Sequence, residues 1–183
     1  MRKLVVLIAL SACSKSAPPE AQGSGSAPAP VTTTAQQLPA TGVALDHITL
    51  LEPEAILQPR LKDQDAVTAT LKEIPTIVAR FDEANPGVLP ANFDVVIVMR
   101  PAAMRGWIVS DAGDVAAPAL AQSLAALPSA GVRAGNVAAV LTMVRAGTKV
   151  TEGAPPRIPA AWKASAGSGG TKVDDIIDKV WPN

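Results

Sequence analysis

The sequence predicts an α+β domain: a small antiparallel sheet, made of a hairpin plus a third strand, packed with two or three helices and preceded by a disordered tether. Three observations carry this. Apolar residues recur at helical spacing between Asp65 and Glu83, a β-branched run follows at Phe93-Asp94-Val95-Val96-Ile97-Val98-Met99, and a second helix-then-strand pattern ends at Val144. Helices and strands in that order bury a sheet against helices.

The chain opens on Met1-Arg2-Lys3, a small cationic start, and an apolar run over residues 4–10. Such a run is far shorter than the about 20 residues a membrane-spanning helix needs, and suits a secretory signal. The next residues, Leu10-Ser11-Ala12-Cys13, resemble the lipobox of bacterial lipoproteins. The resemblance implies cleavage between Ala12 and Cys13, with diacylglyceryl and acyl groups (palmitate among them) on Cys13. Two or more acyl chains hold a protein at a membrane where one does so only marginally. Ser14, rather than Asp, implies sorting to an outer membrane facing the periplasm in a cell with two membranes. A signal of 12 residues is short, which leaves room for a start upstream of Met1.

Five prolines fall between Pro18 and Pro39, among Ala, Ser and Gly and without apolar periodicity. A segment of that kind buries too little surface to offset its ordering entropy, and reads as a tether. Leu38-Pro39-Ala40-Thr41-Gly42 matches the sortase pattern but precedes the whole domain, so cleavage there would release it. The chain thus divides into a signal at 1–12, a tether at 13–44, the α+β domain at 45–146, a Pro/Gly-rich loop at 147–170 and a short amphipathic helix at 171–183.

Within the domain, Ala66, Val67, Leu71, Ile74, Val78 and Phe81 lie on one helical face. Pro75 predicts a break, with a second short helix opening at Pro75, and Asn85-Pro86-Gly87 stops it. The run after Asp94 is apolar on both faces, so that strand is covered on both sides. Arg100-Pro101-Ala102-Ala103 turns, with a loop of about four residues, into a partner strand over residues 105–110. A helix follows over 116–127 with Leu120, Leu124 and Leu127 on one face, then a third strand over 137–144. In the last helix, Thr171 reads as the N-cap with Asp174 three residues on, and Val173, Ile176, Ile177, Val180 and Trp181 form a stripe that packs back on the domain.

The run from Phe93 to Val144, with a helix and Pro86-Gly87-Val88-Leu89 before it and Val109-Ser110-Asp111 after its second strand, resembles the C-terminal domain of TonB-type energy transducers. It departs at Ala102-Ala103-Met104, where that group has a hairpin glycine, and in replacing a transmembrane anchor by a lipid site. The resemblance implies a periplasmic protein–protein module in which a sheet edge pairs with a partner strand.

Composition narrows the rest. Lys plus Arg equals Asp plus Glu at 16 each, and removing the signal leaves a net of −2, so no charge excess recruits nucleic acid. Cys13 is the only cysteine and His47 the only histidine, which rules out a Cys or Cys/His zinc centre and leaves His47 a surface or capping residue. Asp63 with Asp65, and Asp111 with Asp114, sit at expected helix starts and read as caps. Gly167-Ser168-Gly169-Gly170-Thr171-Lys172 lacks the Gly-Lys order and the preceding strand of a phosphate loop. The expectation is a lipid-anchored envelope protein that binds an envelope partner, with no catalytic residues, no metal and no cofactor. The alternatives are a hydrolase using Asp111 and Asp114, or a carrier of a small ligand in a cleft under the final helix.

Overall fold

The structure, a computed structural model, describes residues 42–148, 153–166 and 171–182. The signal, Ala12, Cys13, Ser14, the tether through Thr41 and Gly167 to Gly170 lie outside the described residues. In chain order the elements are β1 (Val43–Leu50), α1 (Glu54–Leu57) with a 3-10 turn at Gln58–Arg60, α2 (Gln64–Ala84), β2 (Asn92–Arg100), β3 (Ala103–Ser110), β4 (Gly113–Asp114), α3 (Pro118–Ala125), β5 (Val137–Arg145), α4 (Ala160–Ser165) and α5 (Val173–Val180). The strands form one antiparallel sheet in the order β1-β5-β2-β3-β4. The fold is α+β.

Side-chain alternation along β2 explains the layering. Phe93, Val95, Ile97 and Met99 face a core shared with Ile74 and Val78 of α2 and with Leu120 and Leu124 of α3. Val96 and Val98 face the opposite way, against Trp162 of α4 and Ile176 and Ile177 of α5. The strand is covered on both sides, as its sequence requires. The stripe of α5 packs on its own domain, also as expected.

Several details differ from the sequence reading. The sheet has five strands, because β1 and the two-residue β4 join the hairpin and β5. The extra residue of a bulge in β1, between Leu45 and His47, breaks the alternation that would have revealed the strand. β3 already begins at Ala103, paired with Arg100, so only Pro101 and Ala102 form the hairpin loop. The stretch read as one long loop contains α4, whose Trp162 is 2% exposed. Thr171 is not the N-cap of α5; Lys172 is, and the Thr171 hydroxyl donates instead to the Ala166 carbonyl.

The predicted break at Pro75 is absent: α2 runs through it for 21 residues. Val67, Thr70 and Ile74 before the proline and Val78 and Asp82 after it are buried along one face, and this two-sided anchoring holds the helix together across one missing hydrogen bond. The two polar members of that face are satisfied. Thr70 Oγ1 lies 2.9 Å from the Pro128 carbonyl, and Asp82 accepts from Arg145 Nη2 at 2.6 Å. Asp63 caps α2 as predicted, accepting from Ala66 N at 3.0 Å.

Two substitutions test this packing. Restoring an N–H with Pro75→Ala should raise stability in urea unfolding, by up to about 3 kcal/mol if the helix context is ideal. A break concealed at Pro75 would instead leave the midpoint unmoved. Gly106 of β3 lies under α3, where an added Cβ would come 2.6 Å from Leu124 Cδ1 and 3.2 Å from Ile97 Cδ1. Gly106→Ala should therefore cost about 1–3 kcal/mol by overpacking, read as a lower urea midpoint.

Candidate functional site

Three arginines, each next to a proline in sequence, position the polar groups of the molecule. Arg60, after Pro59, reaches Asp174 of α5 through Nη1 at 3.1 Å and Nη2 at 2.5 Å, and its Nη1 lies 3.2 Å from Glu52. It also donates to the Asn136 carbonyl. Arg100, before Pro101, is 7% exposed; its Nε donates to Asn136 Oδ1 at 2.8 Å and its Nη2 to Asp178 at 2.9 Å. The Arg100 guanidinium also stacks 4.5 Å from the Trp181 ring. The acidic face of α5 thus grips two cations. Charge-assisted pairs of this kind fix orientation strongly.

Arg157, after Pro155-Pro156, joins the second network. Its backbone N donates to Asp94 Oδ2 at 2.6 Å, its Nη1 to Asp94 Oδ1 at 3.1 Å and its Nε to Asp111 at 2.8 Å. Asp94 is 1% exposed, so this pairing and a third bond, from Thr142 Oγ1 at 3.0 Å, compensate a buried charge. The β1 bulge turns His47 toward the same row: its Nε2 lies 3.3 Å from Thr142 Oγ1 and its Nδ1 2.6 Å from Asp46. Carboxylate, imidazole and hydroxyl are here in the sequence of a hydrolytic triad, but the chemistry differs. A threonine hydroxyl carries one proton, and a buried carboxylate holds it; His47 has none to remove. The row borders a polar cleft of about 230 Å³ reached by Asn92, whose Oδ1 is buried without a hydrogen-bond partner among the described residues.

Asp111 and Asp114 do not come together. Asp111 borders this cleft, and Asp114 a different groove beside β3. The Arg157 hydrogen bond and charge hold the exposed Asp111 carboxyl below its usual range, the reverse of what a proton donor needs. Asp114 caps a helix, but not the expected one: it accepts from Ala160 N of α4 at 3.0 Å, whereas α3 starts at Pro118 with Ala117 as an N-cap that offers no side-chain hydrogen bond. Beneath α5, Ile176 and Ile177 fill the space against the sheet. Among the described residues, no group of three or more His, Cys, Asp or Glu side chains could hold a metal ion.

The larger concavity, about 680 Å³, runs along the edge of the sheet. Its floor is β3 from Met104 to Ile108, one wall is Pro118, Ala121 and Ala125 of α3, and Trp181 closes one side. β4 pairs with Val109 and Ser110, and its ladder ends where Val115 N donates to the Ile108 carbonyl at 2.8 Å. Beyond that point, among the described residues, β3 pairs only with β2 on its inner side. Trp107 meets Trp162 and Trp181 edge-on, with centroids 5.4 and 6.5 Å apart, so all three tryptophans gather at this end. The other edge of the sheet, β1, carries the bulge and the charged pair Asp46 and His47, devices that discourage strand addition. The β2–β3 pairing has no such bulge, and the groove beside β3 carries Arg105 and Asp114 in a mainly apolar lining.

Sequence reasoning missed Arg60, Arg100 and Arg157. The only signal was their adjacency to proline, which fixes the local backbone and so the direction from which each side chain starts.

Glu52 gives a measurable pH effect. Its side chain is 9% exposed, and burial raises its pKa; Arg60 opposes this and Asp174 reinforces it. A raised carboxyl pKa means the folded state binds the proton more tightly than the unfolded state. Ionised Glu52 therefore costs stability above its folded pKa, and the cost fades as pH falls through that value. Glu52→Gln should be more stable than the parent at neutral pH, with the difference closing toward pH 4 in thermal melts. A variant less stable at neutral pH would show that the Arg60 pair outweighs burial.

Compared with protein families, with curated proteins and with solved structures, the chain matches none.

Proposed function

We propose that this chain is a lipid-anchored protein of the bacterial cell envelope whose α+β domain binds another protein along the groove beside β3. The observation that carries the reading is that groove: a mainly apolar channel with a strand edge for its floor, at the edge of the sheet that lacks the bulge guarding β1.

The anchor is the sequence part of the proposal. Cys13 is the only cysteine, so no disulfide within the chain competes for it, and it follows Leu10-Ser11-Ala12 at the end of an apolar run. Cleavage between Ala12 and Cys13 and acylation of Cys13 give an attachment by lipid. Among the described residues no helix is long and apolar enough to cross a membrane. Ser14 supports an outer-membrane location facing the periplasm. The order helix, hairpin, helix, strand that underlies the TonB-type resemblance supports a strand-pairing module. The balance of charge favours a protein partner over nucleic acid. The reading invokes no catalytic residue, metal or cofactor.

The anchor is tested by expressing the full-length chain with an alkyne analogue of palmitate. The parent should label and fractionate with membranes; Cys13→Ala should lose the label and move to the soluble fraction. Equal labelling and fractionation of both would overturn the proposal.

A further inference from the structure

The backbone of β3 dictates what the groove can hold. In an antiparallel strand the N–H and C=O of a residue point to the same side, and successive residues alternate. Ile108 faces outward, because its carbonyl accepts from Val115 N. Gly106 and Met104 therefore face outward too, at the floor of the groove and past the end of the β4 ladder. An incoming antiparallel strand would exchange hydrogen bonds with those two residues. Between them lies Arg105, at a non-hydrogen-bonded position, where facing Cα atoms approach to about 4.5 Å and side chains meet most closely.

Arg105 is exposed, and its guanidinium lies 4.9 Å over the Trp107 ring. Among the described residues no carboxylate pairs with it. The positions on either side of an incoming residue opposite Arg105 would point to the other face of the sheet, toward the small apolar side chains of Ala117, Ala121 and Ala125. Those positions take apolar side chains.

A second copy of this chain fits poorly. The self-pairing that uses both free positions sets Met104 opposite Gly106 of the copy, which places Arg105 directly opposite its own equivalent. Like charges at a facing pair destabilise it.

Resting on the protein-binding reading of the groove, we infer that the occupant is an extended segment of a different protein, in which an acidic residue flanked by apolar residues pairs with Arg105 while the backbone bonds Met104 and Gly106. The segment is short. It spans about the five residues 103–107, because the hairpin loop ends the strand on one side and Val115 ends it on the other.

Three blocked heptapeptides, Thr-Thr-Val-Xaa-Val-Thr-Thr with Glu, Gln or Lys at the centre, test this against the full-length chain. Binding is followed by tryptophan fluorescence and by hydrogen exchange of the Met104 and Gly106 amides. The Glu peptide should bind tightest and slow both amides, and the Lys peptide should bind about three- to tenfold more weakly. Arg105→Glu, an exposed change that leaves the core untouched, should invert the order. Equal binding of all three peptides, or no inversion, would overturn the charge inference and leave the groove reading standing. Failure of every peptide to slow either amide would overturn both.

Discussion

A strand with no solvent face must be covered twice, and β2 makes that demand on the whole chain. Phe93, Val95, Ile97 and Met99 on one side and Val96 and Val98 on the other are all at most 1% exposed. The first side is met by α2 and α3, which are close in sequence. The second has to be met by the C-terminal stretch, which returns across the sheet after β5 and places Trp162, Ile176 and Ile177 there. At about 25 cal/mol per Å² of apolar surface removed from water, burying each of these side chains contributes on the order of 1.5–3 kcal/mol. That supply of apolar contact is what lets a chain poor in aromatic residues hold a layered core.

The ion pairs play another part. Burial of a charge costs about what its partner returns, so Arg60, Arg100 and Arg157 are weak contributors to net stability. Their value lies in direction. Apolar contact alone would let α5 slide or rotate on a flat sheet, whereas Asp174 on Arg60 and Asp178 on Arg100 accept one register. Asp94 works the same way on the chain near Arg157: a carboxylate 1% exposed cannot remain unpaired.

How much of this was legible depended on how local its cause is. The hairpin, β5, α3 and the stripe of α5 follow from periodicity over seven to a dozen residues, and all are present. β1 was hidden by one inserted residue, since a bulge at Asp46 defeats a period of two. Continuity through Pro75 was hidden because it depends on contacts made on both sides of the proline by a face that includes Thr70 and Asp82, polar residues whose partners lie 58 and 63 positions away. The groove was not legible at all. It exists because β4 pairs two residues of β3 and leaves, a feature of register rather than composition. Asp111 and Asp114, three positions apart in sequence, ended in separate clefts, and their partners come from the Pro-rich stretch that looked structureless.

The strand order also has a mechanical side. The chain enters the sheet at Val43 on β1, and the groove lies at the other edge, along β3. A pull between that entry point and a segment held in the groove is carried in series by the β1–β5, β5–β2 and β2–β3 ladders. These have seven, eight and seven matched residue pairs. A segment facing five residues of β3 is a shorter junction than any of them. By length of pairing alone it is the weakest link in that series.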